Sequence, residues 1–477
     1  MNTWLAIDQG GHASRAILFD ATGNRVDEAF APVATRREGA DRVEHEPEEL
    51  IASLRDVIDA VCVRAARAGL RITAAGLASQ RSSMVCWDRR DGTALSPVIS
   101  WQDRRHAAWL ERLAPRREWI RERTGLALTP HYGASKMRWC LEHLPAVQAA
   151  AAAGTLAMGP LAAFILHRLL VGRPLVVDPA NASRTQLWDP RSRDWSDELL
   201  ALFGIPRACL PHSVTSRYAF GELDTPAGPV PLTVATGDQS AVPFAFGPLA
   251  TTTLYVNAGT GAFVQRAIRD HLPEAPRLLA SVVWSDASGV DYMLEGTVNG
   301  AGSALDWFAA RVGVAVTTLL ADATAPDVGE PPLFLNAVSG LGSPFWTGAL
   351  EPRFMGGGSR AAQALAVLES IVFLIAVNIE ELAPHGPRPG RLVLAGGITS
   401  TDDFCQRLAD LAGLPAWRSR ESEATARGLA FLLAGAPRNW DEAPGDHFQP
   451  RANPGLAGRY RRWREAVDAA LTAAGTH

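Results

Sequence analysis

An apolar run that is broken by glycines and then resumed occurs twice in this chain, once at its start and once past its middle. Leu5-Ala6-Ile7 leads into Asp8-Gln9-Gly10-Gly11 and resumes as Ala16-Ile17-Leu18-Phe19. Leu254-Tyr255-Val256 leads into Asn257-Ala258-Gly259-Thr260-Gly261 and resumes as Ala262-Phe263-Val264. Short apolar runs bounded by glycine read as buried strands. A strand, glycine turn and strand let backbone approach a phosphate closely, because glycine has no side chain in the way and accepts positive φ. Two ordinary hairpins would give the same local pattern; the repetition favours a duplicated unit that grips one nucleotide from both sides.

The surrounding pattern repeats too. Strands at 3–8, 14–20 and 24–32 form a meander, a helix runs from Pro47 to Gly69, and a strand follows at Ile72 to Ser79. Residues 107–170 read as mostly helical, an insertion into the first α/β core. Within them the most apolar stretch, Ala146 to Val171, is interrupted by Gly154, Pro160, His167 and Arg168, so it reads as core helices and not as a membrane span. A strand at Val230 to Thr236 ends in Gly237-Asp238-Gln239. The meander then restarts at Thr252, with strands near 262–268, 278–284 and 291–295, helices at 300–312 and 360–382, and a strand at 391–394 that runs into Ala395-Gly396-Gly397. The expectation is two related α/β halves, residues 1–243 and 244–477, packed closely about a hinge without a low-complexity linker.

A length of 477 residues suits that division. Apolar content of 47% with 20% charged residues belongs to a globular chain with a packed core. The net charge of −4 with scattered basic residues argues against nucleic acid as a partner. Five cysteines, Cys62, Cys86, Cys140, Cys209 and Cys405, stand far apart without metal-ligand or disulfide-frame spacing. The chain enters its first strand at once, leaving no room for a secretory leader, and a cytoplasmic location is expected. Of 46 basic residues one, Lys136, is a lysine, which points to a GC-rich genome. No GxxxxGK[ST] precedes it, so a Walker-A site is excluded, and phosphates must be held by backbone amides, hydroxyls, arginine or a metal.

Two carboxylates stand out by position. Asp8 ends the first strand, where open α/β sheets place ligands. There it either orients Mg²⁺ beside a polyphosphate or caps its own turn. Asp238 ends the strand just before the second repeat, at the mouth of the cleft between the halves. A carboxylate there can accept the proton of a hydroxyl attacking a γ-phosphate; the plainer reading is an exposed turn aspartate. Trp101-Gln102-Asp103-Arg104-Arg105 reads as salt bridges holding the cleft wall, not as a recognition site. The 11 histidines lack metal-ligand spacing, and most of the 14 tryptophans fall in apolar patterns.

The runs Asp8-Gln9-Gly10, Trp101 to Arg105, Asp178-Pro179-Ala180-Asn181-Ala182-Ser183-Arg184-Thr185, Gly237-Asp238-Gln239, Gly259-Thr260-Gly261, Ser339-Gly340-Leu341-Gly342-Ser343-Pro344 and Gly396-Gly397 follow one another in the order and spacing of the FGGY carbohydrate kinases. The chain resembles that family over nearly its whole length, and glycerol kinases most among them. The resemblance implies an α/β fold of two actin-like (ribonuclease H-like) domains around a central cleft that closes on ATP and a small polyol or sugar. It implies Asp238 as general base, Asp8 as the Mg²⁺-linked carboxylate, and Gly259, Thr260 and Gly261 as the second phosphate turn. Gly302, Gly396 and Gly397 fall on positions lining the adenosine pocket, with Asp306 and Thr401 taken with them. Arg81, Asp238 and Gln239 match polar contacts to the polyol, and Trp101 and Phe263 match the wall around its carbon chain.

Departures from the glycerol-kinase pattern are local. Ser82 stands where an acidic residue is expected and His131 where a tyrosine is; a missing hydroxyl partner in a buried site costs orders of magnitude in discrimination. Ser82 would leave room for a longer polyol such as a tetritol, with His131 or the neighbouring Tyr132 making the new contact. The first phosphate turn has Gly11 and His12 in place of two threonines, with Arg15 still available on the same segment. Ala395 and Asp306 also differ from the usual residues. The function expected is ATP- and Mg²⁺-dependent phosphorylation of a primary hydroxyl, with glycerol as leading acceptor and a tetritol or ketopentose as alternatives. The rival is a ligand sensor on the same fold that binds without turnover. No membrane partner is expected, and a homodimer is compatible with the chain.

Overall fold

The computed structural model describes residues 2–325, 328–438, 440 and 443–475. Two mixed sheets organise them. The first runs in the order Arg217–Leu223, Val230–Gly237, Arg71–Ser79, Asn2–Gln9, Ala13–Phe19, Arg25–Pro32. Its three central strands are parallel, and Leu5, Ala6 and Ile7 are buried on both faces, which is why the sequence there is continuously apolar. The second sheet runs Leu279–Asp286, Gly289–Val298, Ala262–Arg269, Thr253–Ala258, Arg391–Ala395, Ala416–Ser419, Gly445–Phe448. Again a meander pairs antiparallel on one side of the first strand and a parallel strand on the other.

Register brings the functional strand ends together. Asp8 pairs with Ala78, and both Gln9 and Gly237 pair with Ser79, so Asp8, Arg81 and Asp238 leave three adjacent parallel strands at one edge. In the second sheet Asn257 pairs with Ala395, which puts Gly259 and Gly396 at the corresponding edge.

The halves are joined by packing as well as by chain. Ala6, Ile17, Val234 and Phe244 share one apolar cluster with Tyr255, Val283, Trp284, Trp417 and Leu429. Helix Ala424–Leu433, late in the chain, lies back across the first sheet, with Leu429 and Leu433 over Gly76. Helix Arg360–Leu382, with its extension to His385, is long and apolar enough to cross a bilayer, but 94% of its apolar 18-residue core is buried inside the protein.

A third, five-stranded sheet, Arg36–Glu38, Arg42–His45, Val98–Ile99, Met84–Asp88, Leu156–Pro160, flanks the first. It corrects the reading of 146–171 as helices throughout. Helix Pro145–Ala152 stops at Gly154 (φ 71°), strand Leu156–Pro160 pairs with Met84–Asp88, and helix Leu161–Leu169 follows. A segment buried on every side has no periodicity to tell a short strand from a helix.

Candidate active site

A cavity of about 470 Å³ opens between the halves, lined by Arg81, Trp101, His131, Tyr132, Arg184, Asp238 and Gln239 from one side and by Phe263, Gln265, Glu295, Thr297 and Trp346 from the other. Its floor is the strand edge just described. Asp238 Oδ1 accepts the backbone N–H of Gln239 (2.7 Å) and lies 3.9 Å from Arg81 Nε. Gly237 makes this possible, because a Cβ there would lie 2.5 Å from the Arg81 Cγ and Cδ. Burial raises the Asp238 carboxyl above its ordinary value, against the opposing charge of Arg81. Arg81 is itself held down to about 10 by burial and by Arg184.

One aromatic wall of the cavity comes from the loop after strand Val98–Ile99 and the loop before helix Gly133–His143. Trp101 stands over His131, ring centres 5.4 Å apart, and His131 meets Tyr132 edge to face at 4.9 Å. Burial, Arg184, Lys136 and Arg81 all push the His131 imidazole well below its usual range. Of the seven large apolar side chains exposed among the described residues, three, Trp101, Phe263 and Trp346, line this cavity. Exposed aromatics gathered in one place mark a binding surface and not a packing residue left over. A hydrogen-bond chain ties this wall to the first glycine turn: Gln80 Nε2 donates to Gln9 Oε1 (3.2 Å), Ser83 Oγ donates to Gln80 Oε1 (2.8 Å), and the Trp101 N–H donates to Ser83 Oγ (3.0 Å).

Ser82 and His131, expected together in the acceptor contacts, part company. His131 lines the cavity, with Tyr132 beside it. Ser82 has left-handed backbone (φ 65°), its hydroxyl is buried without a partner, and it is not among the cavity's lining. Asp103 and Arg105 form the expected structural pair at 2.7 Å, with Arg105 also reaching Glu44 at 2.5 Å.

The glycines of the turns divide into two kinds. Gly259 N–H donates to the Gly261 carbonyl (2.8 Å), and a Cβ on Gly302 would lie 2.8 Å from the Gly259 carbonyl oxygen. Gly396 (φ 97°) lies equally close to Ala258. At both places the protein's own backbone leaves no room for a side chain. Gly397 and Gly11 have open space around them. Gly10 and His12 shape the first turn through Gly10 N–H to Ala13 O and Val33 N–H to His12 O, both 2.9 Å. Asp306 is exposed on helix Gly302–Val312, and Thr401 precedes helix Asp402–Ala412.

Arg184 and Trp346 went unassigned in the sequence. Asp178 caps the short helix Pro179–Ala182, and the turn after it carries Arg184 into the cavity, 6% exposed, with Nε and Nη1 lacking partners. Its guanidinium lies over the Tyr132 ring at 5.1 Å. Trp346 adopts φ 47°, uncommon for a bulky residue, and donates its indole N–H to the Arg277 carbonyl (2.9 Å). The run Asp178 to Thr185 and the Gly-Ser-Pro before Trp346 were the available signals.

Asp8 is 6% exposed; Oδ2 lies 3.7 Å from Arg15 Nη1, while Oδ1 is buried without a partner. Burial, then the charge of Asp238, push this carboxyl up to about 7. An orphaned carboxylate oxygen beside a second carboxylate fits a cation. Among the described residues no three His, Cys, Asp or Glu gather as a cage, so phosphate oxygens would have to complete its shell. The raised value has a consequence for stability. A folded carboxyl above its unfolded value of about 3.9 contributes stability below that pH and loses it as pH rises through about 7. Asp8→Asn is therefore expected to flatten the fall in Tm of the ligand-free protein between about pH 5 and about pH 8, and to melt several degrees above wild type at the upper end. Parallel Tm profiles for the two proteins would refute it.

Comparison with known proteins agrees with this geometry. Residues 3–246 match the N-terminal domain, and residues 254–436 the C-terminal domain, of the FGGY family of carbohydrate kinases. Glycerol kinase of Rhodospirillum centenum is 34% identical over 90% of this chain and 88% of its own, and that of Methylobacterium nodulans 34% over 98% of each. Among solved structures, glycerol kinase from Plasmodium falciparum with ADP superposes with a TM-score of 0.90 at 22% identity, covering 99% of this chain and 98% of that one. Xylulose kinase from Rhodospirillum rubrum does so at 0.85 and 22%, with the same coverage. The α/β fold of two actin-like domains around a cleft is borne out.

Proposed function

The chain belongs to the FGGY family of carbohydrate kinases, and on that premise we propose how its own residues carry out phosphorylation of a small polyol or sugar by ATP, with glycerol as the first acceptor to expect. The observation that carries the reading is the juxtaposition of Asp238, Arg81 and Asp8 on three adjacent strand ends at the floor of a cavity walled by aromatics. Arg81 and Gln239 hold the acceptor's hydroxyls, and Trp101 and Phe263 flank its carbon chain. Asp238 accepts the proton of the attacking primary hydroxyl; its raised basicity suits that task. Gly10 and Gly259 spend their own N–H groups on closing the two turns, which leaves the backbone N–H groups of Gly11, Thr260 and Gly261 to meet the phosphates from the two halves, with His12, Arg15 and the Thr260 hydroxyl alongside. Asp8 is the residue to hold Mg²⁺, which when bound would offset charge on the polyphosphate. On the nucleoside side, Gly397 offers open space, and Gly302, Gly396, Asp306 and Thr401 are assigned to the same pocket by the family resemblance. Closure of the halves would exclude water, a competing acceptor. The five cysteines, all free and buried, support a reducing cytoplasm as its location.

The test is ADP release with Mg·ATP across glycerol, erythritol, threitol, dihydroxyacetone, xylitol, xylulose and ribulose. Turnover on one or more is expected, with acceptor-independent ATP hydrolysis at least about 100-fold slower. Silence across the panel with ATP still bound would refute the kinase reading and favour a ligand sensor, the alternative that the open space at Gly11 and the absent threonine hydroxyls keep in view.

A further inference from the structure

Every basic residue of this chain except Lys136 is an arginine. Lys136 lies on helix Gly133–His143, 1% exposed, and donates from Nζ to two main-chain carbonyls, His131 O at 2.7 Å and Ser82 O at 3.2 Å. These belong to two separate loops, one carrying Arg81 into the cavity and the other His131 and Tyr132. Ser82 has the left-handed backbone that a non-glycine residue keeps only when its surroundings hold it there.

We propose that Lys136 is a positioning residue of the acceptor site: its amine clamps the Ser82 and His131 loops together and so sets the separation of Arg81 from the aromatic wall. The inference rests on the kinase reading above and adds to it the group that fixes the acceptor-site width. A guanidinium cannot replace this amine. It is planar and bulkier, with five N–H groups in a rigid fork, and two carbonyls at the tip of a buried stem would leave most of them unpaired. The charged and titratable groups facing the amine are Asp103, Arg105 and the His131 ring, and no carboxylate among the described residues forms an ion pair with it. Burial and Arg105 outweigh Asp103 and bring the amine down to about 7. The clamp survives loss of that proton, since a neutral amine still has two N–H groups for two carbonyls.

The test compares wild type with Lys136→Met and Lys136→Arg on the best acceptor of the panel. Loss of two buried hydrogen bonds is expected to raise the acceptor KM about tenfold or more in both variants, with the ATP KM within about twofold of wild type. The order of preference among acceptors should change as well, which a merely structural lysine would not bring about. Unchanged acceptor KM and preference in folded variants would overturn the proposal while the kinase reading stands. Inactivity of wild type on the whole panel would overturn both. Should the variants fail to fold, the single lysine offers a second route: wild type labelled with ¹⁵N at the lysine Nζ gives one side-chain resonance. Saturating acceptor is expected to shift it, and ADP alone is not. A resonance that acceptor leaves in place would equally overturn the proposal.

Discussion

Replacing Asp238 with asparagine is expected to lower phosphoryl transfer about 10²–10⁴-fold, the usual worth of a positioned general base, while ATP affinity stays within about twofold. The side chain keeps its shape, and the Gln239 N–H retains an oxygen to donate to. What is lost is the group that takes the hydroxyl proton as the bond to phosphorus forms. The isosteric amide can still hydrogen-bond the acceptor hydroxyl beside Arg81, so the acceptor KM should move little and kcat should carry the loss. ADP release measured with titration of ATP binding checks both halves of this expectation. Near-normal turnover would remove Asp238 from the mechanism; lost ATP binding would show that it organises the nucleotide site instead.

The second large effect is expected outside the cavity lining, at Gly428. Helix Ala424–Leu433 crosses from the second half onto the first, and Gly428 lies so close to the carbonyl oxygen of Ala241 that an added Cβ has no room; Ala245 N would be 3.0 Å away. Both neighbours are main chain, and Ala241 closes the short helix that begins at Asp238. Gly428→Ala must therefore push the helix off the first sheet or push the Asp238 segment out of place. Overpacking of this kind costs about 1–3 kcal/mol. A displacement of the base by even about 1 Å would lower kcat by about 100-fold as well. Urea unfolding and kcat measured beside Gly357→Ala, where a Cβ meets nothing within 4 Å, separate the effect from a general cost of alanine. Equal stability of the two variants would show that the helix contact yields without penalty.

The duplicated sheets were legible because their first strands are buried on both faces and end in glycine turns, a pattern that survives without any knowledge of the rest of the fold. Asp8 and Asp238 stand out for the same reason, since each lies at a strand end; Arg81, two residues past the strand Arg71–Ser79, comes only from the family resemblance. The acceptor wall was harder to read. Ser82 precedes a strand of the side sheet and was taken as a contact, but its left-handed backbone turns its carbonyl to Lys136 and leaves its hydroxyl off the cavity, a local geometry that no periodicity encodes. Arg184 and Trp346 enter the site through packing between segments that are distant in sequence. Strand Leu156–Pro160 was hidden because complete burial erases the alternation by which a strand is recognised.

The side sheet separates two kinds of inheritance. Trp101, His131, Tyr132 and the lysine clamp rest on it and on the helix beside it, whereas Asp8, Asp238 and the glycine turns belong to the duplicated sheets. On the proposed reading, substitutions in the side sheet would change the acceptor wall while leaving the glycine turns of the duplicated sheets intact, and Gln80, hydrogen-bonded to both Gln9 and Ser83, is the side chain that joins the two regions.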